Sequence, residues 1–334
     1  MTTASSVAES VGDSVFDCVG NTPVVALSRL FPDRGVEVIA KLELMNPGGS
    51  MKDRTARYIV ETGLAEGSIK RGDRLVESSS GNFGIALAMA ARVHDLRFTC
   101  VVDPKVTTAN LVLLRKLGAD VELVTEEDTA GGYLASRIRR VGELVAAHPE
   151  AIWINQYAND RNWLAYYHGT GAELTNQLVR PPGYLFAAVS TTGSILGCAR
   201  RLRERFPELK VVAVDAAGSV LFGGTPGRRD IPGIGSSRVP ELCSPGEIDD
   251  VVRVDDAEAA EACGKLLAAE GIFAGGSTGS VVAAIARKLP SLPKPCRVLA
   301  IFPDRGDRYL DLVYDDEWLD AARARGNTRR GEHS

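Results

Sequence analysis

The sequence predicts an α/β protein built from open, mostly parallel sheets flanked by helices. Short apolar strands alternate with helical patterns along most of the chain, joined by loops of ordinary length. That order is what a parallel sheet covered by helices requires. Small, polar loops recur at the strand-to-helix junctions, where open parallel sheets bind ligands. At 334 residues the chain can bury two lobes rather than one small core.

The elements follow in order. Residues 14–19 and 22–27 flank a Gly20-Asn21 turn. Residues 36–44 are apolar and alternate enough for a strand, which runs into Asn46-Pro47-Gly48-Gly49-Ser50-Met51-Lys52-Asp53-Arg54. Pro47 stops regular pairing, and the paired glycines let the backbone turn sharply. A helix is expected from 53 to about 63, with Ser50 as N-cap and Asp53 completing a near capping box. Lys52 then occupies the first turn, the wrong helix end for a cation. Partial burial and the positive helix end favour the neutral amine, below its usual pKa of about 10.4. A neutral amine can form a Schiff base; a solvated lysine beside a cap is the plainer alternative.

Beyond this stretch, strands are expected over 73–77, 97–102, 120–124 and 151–154, and helices over 85–93, 108–117 and 131–147. The second half repeats the alternation. It predicts a helix over 163–178, a strand over 185–189, a helix to 205 and a strand over 210–214. Residues 216–247, rich in Gly, Pro and Ser, read as a functional loop region. Helices over 255–270 and 280–289 and a last strand over 297–302 follow. The domain switch is expected near 155–159.

Composition narrows the function. Hydrophobic content of 45% and charged content of 25% are ordinary for a soluble globular protein, and a net charge of −4 argues against nucleic-acid binding. The basic run at 323–330 reads as a frayed, solvated end. The six cysteines form no CxxC pair and the four histidines no HExxH, so neither a metal site nor a redox motif is expected. The thiols read as reduced and mostly buried, which suits the cytoplasm. The first residues do not look like a signal peptide, and no apolar run approaches the roughly 18 residues of a membrane span.

Three loops carry candidate chemistry. Residues 79–84 include Gly81, which lets backbone approach a ligand, and amides that open a helix; this suits a carboxylate. Ser190, Thr191, Thr192, Gly193 and Ser194 set four hydroxyls and a glycine ahead of a helix, a phosphate cradle without a counter-cation. It is not a Walker loop, since no GKS or GKT follows. Residues 275–279 offer a hydroxyl, Ser277, at a helix start. A nicotinamide site would need GxGxxG after a strand. The nearest match, Gly233-Ile234-Gly235, has Arg238 at the third glycine position.

One lysine with one phosphate cradle suggests pyridoxal phosphate. At this point the chain resembles the fold-type II pyridoxal-phosphate enzymes of the cysteine synthase and cystathionine β-synthase family, over roughly residues 14–310. NPGGSMKDR is similar to that family's NPxxSxKDR, SSSGNFG to TSGNTG, STTGS to GTGGT, and GGSTGS to GGSAGS. The resemblance implies a two-domain, tryptophan synthase β-like fold. It implies a smaller mobile substrate domain at 50–155, a larger cofactor-binding domain at 1–49 plus 156–320, a disordered tail at 321–334, and a homodimer. By position, Lys52 would be the Schiff-base lysine, Asn82 would bond the cofactor's ring oxygen, and residues 190–194 would hold its phosphate. Ser277 would face the pyridine nitrogen. Ser79, Ser80, Gly81, Phe83 and Gln156 would take the substrate carboxylate, largely through backbone amides.

The chain departs from cysteine synthases at Phe83, Tyr157, Ser190, Thr192 and the stretch Gly169–Glu173. It looks closest to a subgroup of siderophore and 2,3-diaminopropionate pathways, which joins O-phospho-L-serine to L-glutamate. Arg137 matches a subgroup arginine implied in binding the anionic substrate; Tyr157 and Ser190 match positions implied in excluding cysteine-synthase chemistry. A dianionic leaving group needs cationic help, and Arg137 and Arg238 are the candidates. A cysteine synthase, a dehydratase and a non-catalytic cofactor-bearing binding protein are the competing readings.

Overall fold

The computed structural model describes residues 11–128 and 132–331. Its strands are β1 (Val24–Ala26), β2 (Val36–Leu42), β3 (Arg74–Ser78), β4 (Arg97–Val102), β5 (Asp120–Leu123), β6 (Ile152–Trp153), β7 (Tyr184–Ala188), β8 (Lys210–Ala216), β9 (Asp250–Val254) and β10 (Cys296–Phe302). Its helices are α1 (Lys52–Glu66), α2 (Asn82–Val93), α3 (Thr108–Lys116), α4 (Leu134–Ala147), α5 (Arg161–Tyr166), α6 (Ala172–Gln177), α7 (Gly193–Arg205), α8 (Asp256–Glu270), α9 (Gly276–Lys288) and α10 (Asp316–Gly331).

Two sheets result. The larger runs β1-β2-β10-β7-β8-β9 and the smaller β5-β4-β3-β6. Every pairing is parallel except β1 against β2. The expected open, mostly parallel α/β architecture is therefore present. Both faces of the larger sheet are apolar, as helices on both sides demand. In β10, Val298, Ala300 and Phe302 face the core that holds α8 and α9, while Leu299 and Ile301 face the core that holds α7. The smaller sheet alternates likewise. Leu75, Phe98, Cys100 and Val102 pack with α1 and α2, and Val76 and Val101 pack on Val141 of α4.

The layer of α5 against α7 depends on one missing methyl. A Cβ on Gly197 would lie 2.2 Å from the Trp163 carbonyl oxygen. Gly197→Ala is expected to lower stability by roughly 1–3 kcal/mol through overpacking. The change should read as a lower urea midpoint with an unchanged slope.

Several elements differ from expectation. The helix expected over 163–178 is broken into α5, a π-helical turn at Tyr167–Gly171, and α6. Gly169 and Gly171 weaken a regular helix there, and a Cβ on Gly171 would meet Arg201 Cβ of α7 at 2.7 Å. Strand β9, unforeseen, adds the far edge of the larger sheet beside β8. The helix expected from 85 starts at Asn82, which brings Asn82 and Phe83 into its first turn. Gly131, taken as the start of α4, lies outside the described residues; the helix begins at Leu134.

Where a frayed basic end was expected over 323–330, within a tail at 321–334, helix α10 continues to Gly331. Trp318 and Leu319 pack on the core around α8, Arg323 pairs with Glu261 at 3.0 Å, and Arg325 pairs with Asp230 at 3.0 Å. Residues 332–334 lie outside the description.

Candidate active site

A cavity of about 770 Å³ opens where the strand-to-helix loops of both sheets meet, and Lys52 lines it. The amine sits on the first residue of α1. The helix start is fastened to the larger sheet: the Met51 N–H donates to the Pro303 carbonyl at 2.8 Å, and Ser50 bridges Asp304. The expected capping box is absent. Met51 holds the N-cap position without a side-chain bond, and the Ser50 hydroxyl accepts from the Lys52 N–H at 3.3 Å. Asp53 instead accepts from the Gly48 N–H at 2.6 Å and closes the glycine turn upon itself.

Burial lowers the Lys52 pKa to about 8, with the Asp304 carboxylate pulling the other way. Below that pH the amine is protonated and cannot attack an aldehyde. Uptake of pyridoxal phosphate by the cofactor-free protein is therefore expected to quicken up to about pH 8 and level off above it. A free lysine would keep gaining toward its usual value of about 10.4. Absorbance-monitored binding across pH checks this.

The hydroxyl-rich turn follows β7. Ser190, Thr191 and Ser194 line the cavity. Thr192 does not; it is buried, and its hydroxyl donates to the Thr191 carbonyl at 2.7 Å. Thr192 also adopts φ 65°, a left-handed conformation that a threonine holds only under constraint from its surroundings. The constraint is visible at Asn162, whose Nδ2 donates to Thr191 Oγ1 at 3.1 Å and to the Gln156 carbonyl at 2.7 Å. Gly193 opens α7 against this asparagine, and a Cβ there would lie 2.5 Å from Asn162 Oδ1.

Asn82, Ser277 and Lys52 meet around a residue that the sequence reading missed. Asp304 is buried just past the end of β10. It accepts from Asn82 Nδ2 at 2.7 Å, from the Tyr309 hydroxyl, and from Ser277 Oγ at 3.4 Å. Burial raises its pKa, against those hydrogen bonds. Arg308 donates to Asn82 Oδ1 and to the Gly48 carbonyl. The available signal was position: Pro303-Asp304 stands where a last parallel strand delivers its ligand-facing loop.

The loop after β3 forms the opposite wall. The Ser79 hydroxyl accepts from the Gly84 N–H at 3.0 Å and from the Gly81 N–H at 3.4 Å. Gly81 is the N-cap of α2, and Phe83 is buried in the core of the smaller sheet while edging the cavity. Gln156 is braced by Glu77, which accepts its backbone N–H at 3.1 Å; its Nε2 donates to the Ser78 carbonyl at 3.2 Å. Burial pushes Glu77 up to about 7, against bonds from the Ser78 and Gln156 N–H groups.

Of the two candidate arginines, the structure brings one to the cavity. Arg137 turns inward, donating to Ser80 Oγ at 3.0 Å and pairing with Asp103 at 3.1 Å. Its neighbours Arg139 and Arg140 pair with Glu126 and Glu122 on the surface. Arg238 is outside the cavity wall: it lies 5.3 Å over the Tyr157 ring and pairs with Glu241. Tyr157 itself lines the cavity, as do Arg228 and Arg229. A turn of the backbone at Gly235, φ 72°, separates these arginines from Arg238, and spacing alone does not reveal it.

A family model described as pyridoxal-phosphate dependent enzyme matches residues 15–304. The chain belongs to this family. This pyridoxal-phosphate dependent enzyme is 58% identical over 309 residues to the N-(2-amino-2-carboxyethyl)-L-glutamate synthase of Ralstonia nicotianae, covering 92% of this chain and 91% of that one. Among solved structures, it resembles the O-acetylserine dependent cystathionine beta-synthase from Helicobacter pylori, with TM-score 0.84 and 32% identity over 91% of this chain and 98% of that chain. An O-ureido-L-serine synthase matches with TM-score 0.84 and 31% identity, over 93% of this chain and 100% of that chain.

The residues fit the cofactor. A half-buried amine of lowered pKa faces the same cavity as the start of α7, whose first N–H groups lack intrahelical partners. The tight Gly193–Asn162 contact keeps that turn narrow. Among the described residues no cluster of His, Cys, Asp and Glu could hold a metal ion, and no helix is long and apolar enough to cross a membrane.

Proposed function

We propose that this enzyme joins O-phospho-L-serine to L-glutamate by β-replacement, forming N-(2-amino-2-carboxyethyl)-L-glutamate and releasing phosphate. The observation that carries the reading is Arg137, drawn off the solvated helix face onto the substrate loop beside Ser80. The identity of 58% to a synthase named for that product supports the acceptor.

Bound pyridoxal phosphate supplies an electron sink for charge at the substrate Cα. Lys52 is the residue that would hold the cofactor, and its amine, of lowered pKa, would take the Cα proton and return it. Asn82 and Ser277, both bonded to Asp304, would orient the ring. Ser190, Thr191 and Ser194, with the α7 amides, would hold the cofactor phosphate. Amides of the Ser80–Phe83 stretch at the start of α2 would receive the substrate carboxylate, with Gln156 beside them, and Arg137 would stabilise the departing dianion.

We also propose that 50–155 is the smaller mobile substrate domain, that 1–49 plus 156–320 forms the larger one, and that the enzyme is a cytoplasmic homodimer. Every strand of the smaller sheet falls inside 74–153, which supports the division.

Mass spectrometry of the product from O-phospho-L-serine with either L-glutamate or sulfide tests the reaction. The competing cysteine synthase predicts cysteine and no glutamate adduct. Arg137→Ala is expected to slow turnover of O-phospho-L-serine by about 10- to 100-fold, and that of O-acetyl-L-serine far less. Equal losses with both donors would remove Arg137 from the donor site.

A further inference from the structure

Several cations line the cavity, and most are already engaged. Arg137 is paired with Asp103, and Arg228 with Asp230 at 2.9 Å. Arg308 is spent on Asn82 and Gly48 beside the cofactor-side cluster. Lys105 is exposed at the mouth, 5.9 Å over the Tyr133 ring.

Arg229 is partly buried and, unlike Arg137 and Arg228, forms no ion pair among the described residues. Its Nη2 donates to Ser237 Oγ at 2.7 Å and its Nη1 to the Ile234 carbonyl at 3.4 Å, while its Nε is buried without a partner. Space is kept for it: a Cβ on Gly235 would lie 2.9 Å from Arg229 Nη1. The Gly235 N–H donates to the Val189 carbonyl at 2.7 Å, so this seat is fixed to the strand end that precedes Ser190. Burial lowers the Arg229 pKa, with Asp215, Asp256 and Tyr157 opposing from a distance. Among the described residues no carboxylate comes within ion-pair distance of this guanidinium, so an anionic group entering the cavity could pair with it.

L-Glutamate brings two carboxylates beside its reacting amine. In the proposed reaction Arg137, held by Asp103, and the amides at the start of α2 serve the donor, which leaves the acceptor's carboxylates without a cation. We infer that Arg229 is a specificity-determining residue for the acceptor, forming a charge-assisted pair with the side-chain carboxylate of glutamate. Tyr157 lines the same cavity, within the fields of Arg137, Arg238 and Arg229. The inference rests on the proposed reaction with L-glutamate.

The test is acceptor selectivity in the holoenzyme with O-phospho-L-serine as donor. L-Glutamine has nearly the shape of L-glutamate, with an amide in place of the side-chain carboxylate. Arg229→Met is expected to lower the glutamate-over-glutamine preference in kcat/KM by about 10- to 100-fold, mainly through a higher KM for glutamate. Arg229→Lys keeps the charge without the planar fork and should lose part of that preference. It decides the matter if the methionine variant fails to fold. A preference within about threefold of wild type in the folded variants overturns the inference. So does a loss that falls instead on the KM for O-phospho-L-serine. If the wild-type enzyme makes no glutamate adduct, the proposed reaction and this inference fall together.

Discussion

Replacing Lys52 by alanine is expected to leave a folded protein that does not turn yellow with pyridoxal phosphate and cannot be labelled by borohydride. Release of phosphate from O-phospho-L-serine should fall by about 10²- to 10⁴-fold from lost proton transfer alone, and further from lost cofactor. Stability should change little or improve, because burial disfavours the charged amine and, among the described residues, Asp304 is the countercharge that offsets it. Loss of colour separates this outcome from a mere fall in rate. Residual yellow protein carrying a borohydride label elsewhere would show that another amine holds the aldehyde.

The second large effect concerns stability and lies one helical step away. Arg54 is buried and grips two carboxylates. Its Nε and Nη2 reach Glu43 at 2.6 and 2.8 Å, and its Nη1 and Nη2 reach Glu173 at 2.6 and 2.8 Å. Lys41, also buried, donates to Glu173 at 2.6 Å and to Gln177 Oε1 at 3.0 Å. The cluster ties β2 and the turn after it to α1 and α6. Arg54→Met strands Glu43 in the interior and is expected to cost about 3–5 kcal/mol.

The same cluster gives the acid limb of stability. Burial alone would raise the Glu173 pKa, but bonds and charge from Arg54 and Lys41 hold it at about 2, below its ordinary 4.5. A carboxyl depressed in this way stabilises the fold fully above the unfolded value and loses that contribution as pH falls toward the folded one. Wild type should thus weaken steadily from about pH 4.5 toward 2, whereas Arg54→Met should show a shallower slope there. Urea midpoints measured across that range test the sign.

These predictions divide along what could be read in the chain. The βα alternation was legible because strands buried on both faces are short apolar runs, and helices between them keep their own period. Lys52, the residue 79–84 loop and the hydroxyl-rich turn were legible because each is local: one strand end, one turn, one helix start. Asp304 was not. Its bond to Asn82 joins residues 222 positions apart, and an aspartate after a strand looks like any solvated loop residue. Arg238 lies outside the cavity wall that Arg228 and Arg229 line, and neither spacing nor charge shows which arginine of a long loop reaches it. Strand β9 was hidden by acidic residues at its start and by a long Gly/Pro/Ser loop before it, since an edge strand needs only a few apolar positions. Ser50 resembled an N-cap, but its backbone was claimed by a bridge to a strand loop far along the sequence.

That bridge has a mechanical meaning. The start of α1 is stitched to the larger sheet through Ser50 and Met51, while the body of the same helix rides with α2 on the smaller one. Were the proposed substrate domain at 50–155 to tilt against the larger sheet, this stitch would be its pivot. The amine of Lys52, beside the pivot, would then move less than the loop at Ser79 and Ser80, and a closing cleft would leave that nitrogen in place.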